Sequence, residues 1–118
     1  MKNPLDPRHA KRQKTVENLF KYQFHKQNIT DYARKIIEKR DFLDQKIKLS
    51  APEFPIEKIN KTDLAILRLA VYEITIEKKQ PEKVIIDEAI ELAKEYGGEG
   101  SPAFIKGGLG KLIKNEYS

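Results

Sequence analysis

Residues 63–76 read DLAILRLAVYEITI. Of the twelve residues made up of Leu64 to Ile74 together with Ile76, ten are apolar, and Arg68 and Glu73 are the exceptions. A helix that lies on a core shows one apolar stripe; a helix apolar nearly all round is covered by neighbours on several sides. The run is too short to span a bilayer, which takes about 20 apolar residues. It is also longer than the roughly 4–8 residues of a buried strand, and rich in Leu and Ala. It predicts a central helix.

Working outward, the pattern is helical throughout. Asn60, with Asp63 three residues on, predicts the N-cap of the central helix, with Thr62 the competing choice. Pro52 and Pro55 break the chain before it, and residues 55–59 could make a single helical turn. Further upstream, residues 28–31 supply caps for a helix from about Asp31 to Leu49 whose inner face is Ala33, Ile36, Ile37, Leu43 and Ile47. From about Arg8 to His25, Val16, Leu19, Phe20 and Phe24 recur at helical spacing as a buried stripe. Residues 1–7, with Pro4 and Pro7, predict an extended basic lead-in and a helix start near Asp6 or Pro7.

Downstream, the central helix should fade at Glu77 to Gln80, before Pro81. Val84 to Tyr96 follows as another helix, with Ile86, Ile90, Ala93 and Tyr96 on one face, Ile85, Ala89 and Leu92 widening it, and Gly97 as a ready stop. Ser101 and Pro102 restart a helix as N-cap and first turn, with Phe104, Ile105, Leu109, Leu112 and Ile113 inside. Gly107, Gly108 and Gly110 each cost such a helix up to about 1 kcal/mol relative to Ala. They predict close helix contact or a loosely formed segment. The expected fold is a compact all-α bundle of about six helices. At 118 residues it should be a single domain over 1–118 with a core of its own.

Composition removes several functions. There is no Cys, hence no thiol catalysis, zinc-thiolate site or disulfide scaffold. His9 and His25 lie sixteen residues apart without a nearby carboxylate cluster in sequence, so no metal site or cofactor is expected. The polar N-terminus and the lack of a long apolar span predict a soluble, cytoplasmic protein with no membrane partner. The net charge is +5, and its placement is telling: Lys2, Arg8, Lys11, Arg12 and Lys14 stand against Asp6 alone in residues 1–14, while the other 104 residues carry 18 basic and 17 acidic side chains. That asymmetry points to a polyanionic partner.

On a helical wheel of about 100° per residue, Arg8, Lys11, Arg12 and Thr15 fall roughly a right angle from the apolar stripe, and Asn18 and Tyr22 continue their side. Phosphate binding uses several cations on one surface, and aromatic rings among them suit unstacked bases. The plain alternative is a solvated basic helix face. GGEGSP at 97–102 lacks the Lys and the preceding strand of a phosphate loop and is explained as a helix-to-helix turn, though a helix N-terminus can hold a phosphate. Arg68 and Glu73, five apart and on different faces, should each find a partner on a neighbouring helix. Asp87, Glu88 and Glu91 look like an ordinary wet helix face. Nothing resembles a catalytic arrangement, so the chain should be a binder and not an enzyme.

Two segments, NKTDLAILRLAVYEI at 60–74 and PEKVIIDEAIELAKEYGGEGSPAFIKGGL at 81–109, resemble the C-terminal half of the NusB family, bacterial transcription antitermination factors. The family shows an acidic residue, then A-I-L-R-x-A-x-Y-E-L, P-x-K-V-A-I-N-E-A-I-E-L-A-K-x-F-G and D-S-x-x-F-V-N-G-V-L. Asp63, Ala65 to Arg68, Tyr72 and Glu73 match it, as do Pro81, Lys83, Val84, Glu88, Ala89, Glu91 to Lys94, Gly97, Ser101, Phe104, Gly107 and Leu109. RHAKRQKTVENLFKYQF at 8–24 is similar to the family's Arg-rich opening.

The resemblance implies two packed helical sub-bundles. It also implies binding to boxA-type single-stranded RNA of nascent ribosomal transcripts, with NusE, a ribosomal protein of the small subunit, in the RNA polymerase antitermination complex. The residues so implied for RNA, together with the basic and aromatic positions of the first helix, are Lys2, Arg8, Lys11, Arg12, Lys14, Phe20, Tyr22, Asp63, Phe104 and Lys106. Those implied for the protein partner are Arg68, Tyr72 and Glu73, on a strip of the central helix expected to be open in the monomer. Some members pair through that surface, so a homodimeric interaction module with incidental RNA binding is the alternative. The chain departs from the pattern at Gly100, where an acid is common, at Lys106 in place of Asn, and at Gly108 and Gly110. The same fold serves as the RNA-binding domain of cytosine-5 rRNA methyltransferases, but no cofactor domain follows in this sequence.

Overall fold

Burial explains why the apolar run becomes the hub. In the computed structural model, which describes residues 6–116, every residue from Asp63 to Ile74 is buried except Arg68. The helix formed there, α4 (Lys61–Tyr72), packs on all five others. These are α1 (Pro7–Tyr22), α2 (Asp31–Glu38), α3 (Arg40–Ser50), α5 (Glu82–Tyr96) and α6 (Ser101–Glu116). The expected all-α bundle is found, with no strand among the described residues. One continuous hydrophobic cluster joins α1 to α6 through α4.

The caps follow the chemistry of the sequence. Asn60 opens α4, its side-chain oxygen accepting from the backbone of Thr62 at 2.8 Å and of Asp63 at 3.4 Å. Asp6 caps α1 and Thr30 caps α2 in the same way. A 3-10 turn at Ile56–Lys58 fills the expected single turn before α4. The predicted helix over residues 31–49 is two helices: at Lys39 the backbone turns to φ −101°, ψ 13°, and α3 starts in a new direction. The side-chain period runs on through the break, which is why pattern alone misses it.

At its far end α4 passes into a π-helical turn, Glu73–Glu77, in which the Lys78 N–H donates to the Glu73 carbonyl at 2.8 Å. Lys78 then adopts φ 55° and ends the helix. The turns at 78–81 and 97–100 are short, so α4, α5 and α6 run antiparallel in succession. The start of α4, the end of α5 and the start of α6 therefore share one end of the bundle. The second half of α1 joins them, through Gln23 Nε2 on the Lys61 carbonyl (2.8 Å) and the Tyr96 hydroxyl on Glu17 (2.7 Å).

Gly97 is required, though not as a left-handed stop. Its backbone is extended (φ −92°, ψ −170°), but a Cβ there would lie 2.5 Å from Ser101 Oγ and 2.8 Å from the Ala93 carbonyl. That close approach lets Ser101 Oγ accept from the Gly98 N–H at 3.0 Å and open α6. The glycines of α6 correct an expectation. Gly108 faces Leu67 at ordinary contact distance, while Gly107 and Gly110 are exposed with nothing near a prospective Cβ. Helix α6 runs through all three as regular helix.

Candidate nucleic-acid interface

Helix α1 buries His9, Arg12, Thr15, Val16 and Leu19. These positions recur every three or four residues, so the inner stripe continues the apolar one into polar side chains. The wheel placed Arg12 and Thr15 on the open basic face, and the structure corrects both. Arg12, 7% exposed, sends Nε and Nη2 to the two carboxylate oxygens of Glu73 at 3.0 and 2.8 Å, and Nη1 to Glu88 at 3.2 Å. A guanidinium can point inward because its five donors fit two carboxylates at once. Burial opposes its charge, but the Glu73 and Glu88 carboxylates outweigh that and hold its pKa above the ordinary value. Glu88, read from sequence as part of a wet face, is therefore buried, while Asp87 on the outside pairs with Lys83.

His9 completes this polar seam. Its Nδ1 lies 3.3 Å from Glu88 and its Nε2 3.0 Å from Glu95. Burial alone would lower its pKa; the two carboxylates raise it above the ordinary value. Local sequence does not point to the partners of His9, because both lie on α5, 79 and 86 residues away. Glu73 and Glu88 are the residues that convert the expected RNA-facing Arg12 into a structural one.

The outer side of α1 holds the remaining cations. Arg8 pairs with Asp6 at 3.1 Å, and this contact keeps the Asp6 carboxyl below its usual pKa. Lys11 sits 4.0 Å from the centre of the Tyr32 ring. Lys14 and Lys21 are exposed, with no ion-pair partner among the described residues. Tyr22 is half-buried. Phe20 is half-buried too, and makes an edge-to-face contact with Phe24 at 5.1 Å. Phe24 corrects the predicted stripe: it lies just past the end of α1 and is 59% exposed. The pair leaves an exposed ring beside basic residues, a feature concealed by counting Phe24 as core.

Elsewhere, Phe104 is half-buried against Phe54, edge to face at 5.2 Å, with Lys106 exposed two residues on. Asp63 is buried, and its Oδ1 has no hydrogen-bond partner among the described residues. Lys2 lies outside the described residues, as does most of the expected lead-in. The open strip expected on the central helix is absent at Tyr72 and Glu73, both of which are buried. Tyr72 meets the Tyr32 ring edge-on at 5.9 Å and Glu73 is held by Arg12. Arg68 is partly covered and bound through Nε and Nη2 to Asp44 on α3, at 2.9 and 2.8 Å. As expected, then, Arg68 and Glu73 each have a partner on a neighbouring helix. Those partners are also what close the strip.

Among the described residues no group of His, Cys, Asp and Glu is arranged to hold a metal ion, and no helix is long and apolar enough to cross a membrane. The NusB family profile matches residues 4–114. The transcription antitermination protein NusB of Clostridium botulinum (strain Kyoto) is 48% identical over 87 residues, covering 70% of this chain and 61% of that protein. The chain thus spans less than two-thirds of the length of that relative. Among solved structures, T. maritima NusB superposes with a TM-score of 0.79 at 30% identity, covering 97% of this chain and 93% of the other. A structure of the antitermination factors NusB and NusE in complex with dsRNA superposes with a TM-score of 0.79 at 19% identity, covering 94% and 98%. At that identity the likeness speaks for the fold.

Proposed function

The chain belongs to the NusB family, and on that premise we propose that it is a non-enzymatic transcription antitermination factor. It binds boxA-type single-stranded RNA of nascent ribosomal transcripts together with NusE, and joins the RNA polymerase antitermination complex. The observation that carries this reading is the outer side of α1, where Arg8, Lys11, Lys14 and Lys21 are exposed along a helix that ends in the Phe20–Phe24 pair. Cations along a line recruit phosphates by releasing counterions, and an exposed ring accepts an unstacked base. The relative solved with NusE and RNA supports the choice of partners.

The roles of the residues follow their placement. Arg8, Lys11 and Lys14 contact phosphates, with Tyr22 and Phe20 flanking them; Phe104 and Lys106 add a ring and a cation at the start of α6. Asp63, with its unsatisfied oxygen, supplies an acceptor once a ligand donor reaches it. Arg12 acts from beneath by fixing α1. NusE meets the neighbourhood of Arg68, while Tyr72 and Glu73 support that surface from below.

Titrating a short single-stranded boxA-type RNA across a salt series tests the reading. Replacing Arg8, Lys11 and Lys14 together by Ala should weaken binding and make the log-affinity slope shallower by about 0.7 per lost contact. An unchanged slope in the triple variant overturns it.

A further inference from the structure

Lys14, Asn18 and Lys21 stand at i, i+4 and i+7 on α1 and so share one stripe. They form one wall of an open cleft of about 300 Å³, whose other wall is the connection of residues 27–30 between α1 and α2. Asn18 ties the two walls together. Its Oδ1 accepts from the Thr30 N–H at 2.9 Å, and its Nδ2 donates to the Lys14 carbonyl at 2.9 Å. One hydrogen bond thus crosses the cleft, and the second fixes the Asn18 amide on its own helix. Its volume falls at the lower end of small-ligand pockets, roughly 300–1,000 Å³.

The cations of this cleft differ from their neighbours. Arg8, Lys11 and Arg12 are each engaged, by Asp6, the Tyr32 ring and Glu73 with Glu88. Lys14 and Lys21 have no ion-pair partner among the described residues. Seven residues of helix separate them by roughly 10 Å along the axis. Gln27 in the opposite wall has a side-chain Nε2 that is closed to water and lacks an acceptor, an amide with hydrogen-bonding capacity left over.

We propose that this cleft is a subsite for one nucleotide of single-stranded RNA. Lys14 and Lys21 hold the phosphates on its two sides, and the exposed Asn28 amide meets the base edge. An amide offers a donor and an acceptor side by side, the pattern that pairs with adenine. The proposal rests on the RNA-binding reading and deepens it, by assigning a place and a base class to part of the strand.

The test uses the full chain with two short single-stranded RNAs, one rich in adenine and one all uridine, titrated across a salt series. Lys14→Ala with Lys21→Ala should make the salt slope shallower by about 1.4 on both RNAs, at 0.7 per lost contact. The thermal midpoint should stay unchanged, and Lys14→Arg with Lys21→Arg should keep the slope. Asn28→Ala should narrow the adenine-over-uridine preference and leave the slope alone. If the double Ala variant keeps the wild-type slope while Arg8→Ala with Lys11→Ala loses it, the subsite is overturned and RNA binding by α1 stands. If the wild-type chain binds neither RNA, both fall.

Discussion

The Arg12 guanidinium meets the Glu73 carboxylate side-on through two hydrogen bonds, 3.0 Å at Nε and 2.8 Å at Nη2, with both side chains nearly closed to water. This contact fastens the first helix to the exit of the central one, across 61 residues of sequence. A third bond from Arg12 to Glu88 brings in α5. The seam sets how α1 lies on the bundle, and hence where its outer cations stand.

Arg12→Ala should destabilise the fold by about 3–5 kcal/mol, because it leaves the buried Glu73 carboxylate without its cation and Glu88 with one partner fewer. Arg12→Lys should recover little of this, since one ammonium cannot make a bidentate bond to Glu73 and also reach Glu88. Urea denaturation reads both. A midpoint close to wild type in Arg12→Ala means that the side chain is free in solution.

His9 makes stability depend on pH. Its folded-state pKa is raised by Glu95 and Glu88, so the stabilisation is complete below the unfolded value of about 6.5 and is lost as pH rises through the folded-state value. The difference in urea midpoint between wild type and His9→Gln should therefore be largest below about pH 6.5 and decline above it. A difference that is constant with pH contradicts the placement of His9 between the two carboxylates.

The glycines of the C-terminal region should behave in opposite ways. Gly107→Ala and Gly110→Ala put a methyl group into open space on a helix and should each stabilise by about 0.5–1 kcal/mol. Gly97→Ala drives a Cβ to 2.5 Å from Ser101 Oγ and should cost about 1–3 kcal/mol. Thermal melting of the three single variants decides it. Loss of stability at Gly107 or Gly110 would mean that α6 is packed there by something the isolated chain lacks.

The hub was legible in the sequence because an all-round apolar run admits little else, and the caps were legible because Asn60 and Thr30 act on backbone a few residues away. What pattern missed depends on residues distant in sequence. Arg12 lies where a wheel places an open basic face, and only Glu73 and Glu88 on other helices turn it inward. Phe24 keeps helical spacing after the helix has ended, so its period says core while its position says surface. The break at Lys39 leaves the spacing of inner residues intact. The site was legible as a helix and a charge sign; which cations remain free depends on their partners.

The measurement that tests the central claim most directly is RNA affinity with and without NusE, on the full chain and a short boxA-type RNA. Light scattering on the same samples reports the assembly. RNA should bind more tightly when NusE is present, and NusE should bind more tightly to the RNA-bound chain by the same factor, as linkage requires. The light scattering should show a complex of the chain with NusE. An RNA affinity indifferent to NusE, together with a homodimer of this chain that persists in its presence, would contradict the claim and leave a self-associating module in its place.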